Sequence, residues 1–364
     1  MRFVNPATGE TIREYPEHSA AEAAAALDRA GAAFPDWAAR PASERATFLA
    51  AAARALRARK ADHARLMTLE MGKPVTAAEA EVEKCAATCD WYARHAPALL
   101  EPQPAATEAS WSGVRFDPLG VVLAVMPWNF PFWQVFRCAA PALAAGDTVV
   151  LKHASNVPGC ALAIEGVFRE AGFPEGVFTT LLVPSTAVPA LVEHPAVRAV
   201  SLTGSEPAGR DVAARAGAAL KKTVLELGGS DPFIVLADAD VERAAAQAAL
   251  ARTINNGQSC IAAKRFIVEE AVAASFEAAL VERMGELRVG EPLERHTQVG
   301  PLARLDLLVD LEDQVARTVA AGATLRLGGR RLGRPGFFFP PTVLTGSSRA
   351  CPPSTRRPSA RWPL

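Results

Sequence analysis

Residues 120–153 read GVVLAVMPWNFPFWQVFRCAAPALAAGDTVVLKH, in which two apolar runs flank a segment of helical length. A short apolar run at 120–126 is followed by a segment of helical length at 132–145 and by a second Val- and Leu-rich run at 147–152. Short β-branched runs separated by helical lengths are typical of βαβ units, in which helices cover both faces of parallel strands. We therefore predict an α/β fold built on a parallel sheet.

The alternation continues downstream, where strands are predicted at 177–183, 197–202 and 222–226 and helices at 157–171, 186–193 and 206–217. A second α/β block is predicted, with strands at 232–236 and 264–268 and helices at 240–255 and 271–285. Upstream, Ala-rich segments predict helices near 20–34, 42–71 and 75–96. Residues 5–10 indicate a turn between two short extended pieces, and residues 108–117 alternate as in a hairpin.

The chain has 364 residues, half of them hydrophobic, so we expect two or three globular domains. Lys plus Arg and Asp plus Glu each number 39, which gives a formal net charge of zero. Because this balance creates no general electrostatic field, we expect neither nucleic acid nor an acidic membrane as a partner. The apolar run at 121–126 is far too short to span a bilayer.

Six cysteines are scattered along the chain without CxxC spacing or a Cys/His cluster, at Cys85, Cys89, Cys138, Cys160, Cys260 and Cys351. We therefore predict no metal site. Free thiols favour a reducing compartment, and the N-terminus lacks the apolar core of a signal peptide. A cytoplasmic location is expected.

The segment Asn255-Asn256-Gly257-Gln258-Ser259-Cys260 lies between a predicted helix and a predicted strand. A cysteine on such a turn is partly exposed, and its thiolate can attack a carbonyl carbon. The alternative is that Cys260 is a small buried hydrophobic residue.

Two further residues at strand ends suit acyl chemistry. Glu226, in Glu226-Leu227-Gly228-Gly229, ends the last strand of the first sheet, where a carboxylate can act as a general base towards water. Asn129, in the turn at 127–131, can donate its amide to a developing oxyanion. The alternatives are a solvated Glu and an Asn that caps a helix.

Candidate cofactor contacts also follow strands. Lys152 ends the second strand and Ser155 comes three residues later, an arrangement that suits a ribose or a phosphate. The turn at 203–209 begins a helix whose backbone amides can bind a pyrophosphate. Its GxxxxG spacing is not the GxGxxG fingerprint, so a solvated Lys and a plain turn remain alternatives. The joint occurrence of these motifs at strand ends indicates a single site.

Taken together, the motifs PWNFP (127–131), LTGS (202–205), ELGG (226–229) and NNGQSC (255–260) resemble those of the aldehyde dehydrogenase superfamily. The likeness runs from about residue 5 to residue 346 and is strongest to the bacterial succinate-semialdehyde dehydrogenase group. It implies an aldehyde dehydrogenase-like fold, with a Rossmann-like parallel-sheet cofactor domain and a second α/β catalytic domain.

The resemblance implies that Cys260 attacks an aldehyde, while the Asn129 amide and the Cys260 backbone N–H stabilise the oxyanion. Hydride transfer to NAD(P) then leaves a thioester, which water activated by Glu226 hydrolyses to the acid. The implied cofactor contacts are Pro127, Trp128, Lys152, Ser155, Gly204, Ser205 and Leu227.

Single positions in the sequence indicate which cofactor and which substrate are preferred. NAD-specific relatives carry Glu where this chain has Ser155, so no carboxylate would repel a 2′-phosphate and NADP is favoured over NAD. Arg137 matches a carboxylate-binding Arg of semialdehyde dehydrogenases, and Trp133 would line the channel. A second Arg of some relatives is replaced by Ile254. Succinate semialdehyde is the expected substrate, and an ordinary surface charge at Arg137 is the alternative.

By the same resemblance, the cofactor-binding domain comprises 1–100 and 119–229, an oligomerisation hairpin comprises 101–118, and an incomplete catalytic domain comprises 230–346. Full-length members are homodimers or homotetramers, so impaired assembly is expected here. Residues 347–364 form an aberrant tail that does not match the family.

The tail reads SSRACPPSTRRPSARWPL, where relatives have an acidic stretch and a Glu-x-Phe-Gly-Pro motif whose Glu binds the nicotinamide ribose. Codon degeneracy allows residues 350–364 to be encoded so that a shifted frame reads MPAFDEETFGPVAA. The hypothesis is a frameshift near 346–349, real or a sequencing error, with low solubility and activity for the chain as written. A disordered tail is the alternative.

Two other functions stay open. One is an inactive remnant that at most binds nucleotide. The other is an acylating dehydrogenase that passes the thioester to coenzyme A, and Glu226 argues against it because that reaction needs no hydrolytic base.

Overall fold

The structure, a computed structural model, describes residues 1–346, and the predicted tail at 347–364 lies outside the described residues. The strands are β1 (Arg2–Val4), β2 (Thr11–Glu14), β3 (Gln103–Pro104), β4 (Gly113–Val114), β5 (Val121–Met126), β6 (Thr148–His153), β7 (Phe178–Leu181), β8 (Val197–Gly204), β9 (Lys222–Leu227), β10 (Pro232–Val235), β11 (Arg265–Val268), β12 (Thr324–Leu327) and β13 (Val343–Thr345). The helices are α1 (Ala20–Ala39), α2 (Ala42–Ala58), α3 (Lys60–Met71), α4 (Val75–Leu99), α5 (Trp133–Ala145), α6 (Pro158–Glu170), α7 (Val188–Glu193), α8 (Glu206–Ala218), α9 (Val241–Thr253), α10 (Glu270–Gly285) and α11 (Leu305–Ala320).

The central sheet has five parallel strands in the order β7-β6-β5-β8-β9, which confirms the predicted α/β fold. Val125 pairs with Lys152, and Thr203 pairs with Glu226. Because the carboxyl ends of parallel strands meet at one edge, this register places Lys152, Gly204 and Glu226 along the same edge as the Asn129 turn.

Both faces of β5 and β6 are covered, which explains why these two strands read as nearly unbroken apolar runs. Successive side chains of β5 point in opposite directions. Val122 and Ala124 join a core formed with α2 to α6, whereas Val121 and Leu123 join a second core formed with α1, α7 and α8. The rigid edge that follows β5 is therefore fixed by packing on two sides.

The amino-terminal helices differ from the sequence prediction at two points. The helix predicted at 42–71 is divided at Arg59, whose φ of −114° and ψ of 26° interrupt the helical backbone between α2 and α3. Helix α1 continues through Pro35 to Ala39, five residues beyond the predicted end. Burial explains the extension, since Trp37 is in the core and its indole N–H donates to the Leu143 carbonyl at 3.1 Å.

The second α/β block lies where it was predicted. Parallel strands β10 and β11 pack with α9 and α10 around Val235, Ala248, Phe276 and Leu280. Beyond it, α11 and the antiparallel pair β12–β13 were not predicted. Leu308, Leu311 and Val315 of α11 are buried at helical spacing, which is the signal that would have found this helix. The division between domains at 229/230 stays a prediction.

The hairpin extends from 103 to 114, so it begins and ends earlier than the alternation at 108–117 suggested. Strands β3 and β4 have two residues each and pair Gln103 with Val114. Trp111, Val114 and Phe116 are exposed around it. Among residues 1–346, no helix combines the length and the apolar character needed to cross a lipid bilayer.

Candidate active site

The loop that carries Cys260 has an unusual backbone. After α9, a 3₁₀ turn at Ile254–Gly257 contains three consecutive left-handed residues, with φ of 57° at Asn255, 58° at Asn256 and 73° at Gly257. Asn and Gly are the residues that tolerate this conformation. The Asn-Asn-Gly sequence therefore permits the sharp turn that presents Cys260 between α9 and β11.

Asn256 fixes this loop to two distant backbone segments. Its amide nitrogen donates to the carbonyls of Gly72 at 2.9 Å and Pro301 at 3.0 Å, and its oxygen accepts the Gly300 N–H at 2.8 Å. A Cβ at Gly300 would lie 2.1 Å from the Gly72 carbonyl oxygen, so glycine is required where these segments meet.

The structure brings Asn129 against the loop that carries Cys260. The Asn129 amide nitrogen donates to the Gln258 carbonyl at 3.0 Å, and the Asn255 amide nitrogen donates to the Asn129 carbonyl at 2.7 Å. All three residues are buried. The oxyanion candidate and the nucleophile loop thus hold each other through side-chain amides.

Cys260 lies at the end of this arrangement with a partly exposed side chain. Within residues 1–346 its backbone N–H has no acceptor, and its carbonyl accepts a hydrogen bond from the Lys264 ammonium at 2.9 Å. Burial, with a further contribution from Arg252, lowers the pKa of Lys264. An N–H without an acceptor beside a partly exposed thiol is suited to binding an oxyanion.

Two cations behind the loop were missed by sequence reasoning. The Arg252 guanidinium donates to the Ala263 carbonyl at 2.8 Å and also to the Gly257 carbonyl, and Lys264 holds the Cys260 carbonyl as described above. Burial lowers the pKa of Arg252 to about 10, so it remains charged at neutral pH. A charged residue in a helix or before a strand is normally expected to be exposed to solvent. Nothing in the sequence therefore identifies Arg252 and Lys264 as supports of the loop.

The Asn129 turn is also held from behind. Glu81 of α4 accepts the backbone N–H groups of Phe132 and Trp133, both at 2.9 Å, and forms a buried ion pair with Lys73. His153, at the end of β6, contacts the Pro131 carbonyl through Nε2 at 2.8 Å. Burial lowers the pKa of His153 to about 4, so the ring is neutral and Nε2–H donates.

Arg137 and Glu226 are placed against each other. Their nearest nitrogen and oxygen are 2.6 Å apart, and the side chains are 32% and 50% exposed. Sequence reasoning gave them separate roles, one towards substrate and one towards water. An ion pair this exposed contributes about 0–1 kcal/mol, so water or a competing carboxylate can separate it at little cost.

The cofactor candidates lie along the carboxyl edge of the sheet. Lys152 is 5% exposed, its ammonium has no acceptor within residues 1–346, and burial lowers its pKa. Ser155 is exposed in the following turn. Ser205 caps α8, and its hydroxyl accepts the Ala208 N–H at 3.4 Å. The hydroxyl only accepts in this contact and keeps its own O–H to donate, so both Ser205 and the backbone N–H groups after Gly204 are candidates for a phosphate contact.

Close packing explains the glycine at 209. A Cβ there would lie 2.6 Å from the Leu227 side chain, so Gly209 allows Leu227 to reach the first turn of α8. The second glycine of the GxxxxG spacing, Gly209, therefore lets α8 pack closely against β9.

Both predicted tryptophan contacts, Trp128 and Trp133, have a cation beside the ring. The Trp128 ring is buried in the core with the Arg304 guanidinium 5.5 Å from its centroid, which leaves its backbone for any cofactor contact. The Trp133 ring is covered by the Lys84 ammonium at 3.8 Å, so its face is not a bare channel wall. Pro127 is half-buried directly after β5.

The sequence matches the profile described as "Aldehyde dehydrogenase family" over residues 1–352. The chain belongs to the aldehyde dehydrogenase family. A probable succinate-semialdehyde dehydrogenase from Synechocystis sp., named as NADP(+)-dependent, is 52% identical over 342 residues, which cover 94% of this chain and 75% of that protein. Succinate-semialdehyde dehydrogenase NADP(+) 1 from Mycobacterium tuberculosis is 51% identical, with 95% and 76% covered.

Solved aldehyde dehydrogenase structures are similar over nearly all of this chain. The succinic semialdehyde dehydrogenase from Streptococcus pyogenes, solved in complex with NADP+, has a TM-score of 0.94 at 35% identity and covers 97% of this chain and 78% of its own. A lactaldehyde dehydrogenase has a TM-score of 0.95 at 34% identity, with 99% and 76% covered.

The Asn256 anchor yields a first prediction. Asn256→Ala and Asn256→Gly both remove three buried hydrogen bonds and should lower the free energy of unfolding by about 2–4 kcal/mol. Asn256→Ala should lose about 1 kcal/mol more, because Ala pays for the left-handed conformation. Urea unfolding measures both values. If Ala were as stable as Gly, the left-handed backbone would not be a constraint at this position.

Proposed function

We propose that this chain oxidises an aldehyde, most suitably succinate semialdehyde, to the carboxylic acid with NADP+, using Cys260 as the nucleophile. The observation that carries the proposal is the reciprocal hydrogen bonding between the Asn129 turn and the Cys260 loop. It holds the Asn129 amide against the loop at the Gln258 carbonyl, two residues before Cys260.

In the proposed reaction, the Cys260 thiolate adds to the aldehyde carbon and forms a thiohemiacetal. An amide carries two N–H groups, of which Asn129 uses one for the Gln258 carbonyl, so the other can reach the oxyanion together with the Cys260 N–H. NADP+ supplies the hydride acceptor. Loss of hydride leaves an acyl group on Cys260 as a thioester.

Glu226 is the proposed base for the hydrolytic step. Its carboxylate must leave Arg137 to accept a proton from water, and the exposure of both side chains makes that separation inexpensive. Arg137 is then free to bind a carboxylate at the far end of the substrate. The same weak ion pair thus allows both proposed roles.

The choice of NADP rests on Lys152 and Ser155. A buried ammonium without an acceptor in the described part of the chain suits a 2′-phosphate, and Ser155 contributes no opposing charge. The curated relatives carry NADP(+) in their names. For the substrate, support comes from Arg137 and from the names of the same relatives.

We also propose a cytoplasmic enzyme that assembles as a homo-oligomer through the hairpin at 101–118. The exposed Trp111, Val114 and Phe116 support an interface there, since exposed apolar side chains that lie together mark sites of association.

The mechanism predicts distinct defects for two variants. Cys260→Ala should abolish aldehyde oxidation. Glu226→Gln should release about one equivalent of NADPH rapidly and then turn over about a hundredfold more slowly, because the thioester accumulates without its base. NADPH absorbance and intact-mass detection of acylated Cys260 measure these outcomes.

Two results would contradict this reaction. Turnover that requires coenzyme A would favour the acylating reaction. Alkylation of Cys260 without any oxidation would favour the inactive remnant.

Cofactor preference is tested at Ser155. Ser155→Glu should raise the KM for NADP about tenfold or more, since a carboxylate beside the 2′-phosphate is repelled, and should change the KM for NAD little. Ser155→Gln has the same size without the charge and is the control. Equal effects of Glu and Gln on the KM for NADP would show that size, not charge, acts at this position.

Substrate class is tested at Arg137. Arg137→Met should raise the KM for succinate semialdehyde about 10–100-fold, because a charge-assisted hydrogen bond to the substrate carboxylate is lost. The KM for butanal should not change. Butanal is the control because it has the same chain length without the carboxylate. Equal losses for both aldehydes would remove Arg137 from substrate recognition.

A further inference from the structure

We propose that Lys73 and Glu81, a buried ion pair at the start of α4, are positioning residues that set the Asn129 amide for the oxyanion. The inference rests on the proposed function of Asn129. These two residues contact neither the Cys260 thiol nor the edge of the sheet where the cofactor candidates lie. They act through the turn between β5 and α5.

Glu81 holds the turn at its far end. One carboxylate oxygen accepts the N–H groups of both Phe132 and Trp133, the first groups of α5 that lack partners within the helix. Because Asn129 lies only three residues before Phe132, fixing these two groups restricts the path of the chain through Asn129. The side chain of Glu81 is 2% exposed, so water cannot take over either hydrogen bond.

Lys73 balances the charge and reaches the same turn. Its ammonium pairs with the second oxygen of Glu81 and lies 4.4 Å from the centroid of the Phe130 ring. A lone buried carboxylate near Asn129 would repel an oxyanion that forms there. With Lys73 present, Glu81 can hold the turn while the pair carries no net charge.

The segment that contains this pair also holds the nucleophile loop. Gly72, directly before Lys73, accepts the Asn256 amide at 2.9 Å. Its φ of 84° ends α3, and a Cβ there would lie 2.9 Å from the Pro301 carbonyl oxygen. Residues 72–81 therefore contact both halves of the site, the Asn129 turn through Glu81 and the Cys260 loop through Gly72.

Glu70 supplies a matched control. It is fully buried and, like Glu81, accepts two backbone N–H groups at the start of a helix, those of Gly159 at 2.7 Å and Cys160 at 2.8 Å in α6. Among the described contacts it makes no hydrogen bond to 129–133. Burial raises the pKa of Glu70 to about 7, so an assay at about pH 8 compares it in its charged form.

The test uses the reversible addition step, which needs no cofactor. The Cys260 thiolate sulfur bonds to the carbonyl carbon of butanal, and the electron pair of the broken carbonyl π bond goes to the oxygen, which becomes the oxyanion that the Asn129 amide would hold. No change in oxidation state occurs. Addition protects Cys260 from alkylation by iodoacetamide. Peptide mass spectrometry of the full-length chain gives the apparent aldehyde dissociation constant at Cys260.

Asn129→Ala should raise this constant about tenfold or more, and Glu81→Gln about five- to tenfold, because the amide is lost or displaced. The double variant should match Asn129→Ala within about twofold, since displacement has no effect once the amide is gone. Glu70→Gln should stay within about twofold of the unmutated chain.

The positioning role is overturned if Glu81→Gln leaves the constant unchanged, if its effect adds fully to that of Asn129→Ala, or if Glu70→Gln raises it equally. Should Glu81→Gln not fold, Lys73→Met/Glu81→Gln removes both interior charges and is expected to raise the constant in the same way. Absence of protection in the unmutated chain would overturn the proposed function as well, which distinguishes the two failures.

Discussion

The reciprocal hydrogen bonds between Asn129 and the Cys260 loop join segments that are 126 residues apart in the chain. The loop needs such a partner, because three consecutive left-handed residues are unfavourable in isolation. Hydrogen bonds offset this cost. The side-chain amide of Asn255 donates to the Asn129 carbonyl, and that of Asn256 donates to the carbonyls of Gly72 and Pro301. The Asn129 turn directly follows β5, and packing on both faces fixes the position of that strand. The geometry around Cys260 therefore depends on the central sheet.

Much of the fold could be predicted because its signals are local. The central strands β5 and β6 are short apolar runs separated by a helical length, and burial on both faces produces that pattern directly. The break at Arg59 could not be predicted, since neither Gly nor Pro marks it and the packing of α2 and α3 on α4 decides it. The two-residue strands β3 and β4 are too short to give a periodic signal.

The candidate site was predictable to the level of residue types at strand ends and in the Cys260 loop. Its contacts were not, because they join residues far apart in sequence. Glu81, His153 and Lys264 support the turn and the loop, yet a charged or polar residue in a helix, strand or turn gives no sign in the sequence of such a contact. The pairing of Arg137 with Glu226 likewise depends on how α5 lies across the end of β9.

The buried cations differ in whether they have a partner among residues 1–346. Lys73 has Glu81, and the two terminal nitrogens of Arg252 have the carbonyls of Gly257 and Ala263, so each cation has partners within the fold. Lys152 is buried to a similar degree, but no residue among 1–346 accepts a hydrogen bond from it, and burial lowers its pKa. Burying an unpaired ammonium is costly unless an anion compensates it. An anion bound at the edge of the sheet would recover that free energy, which supports the proposal that Lys152 contacts the cofactor.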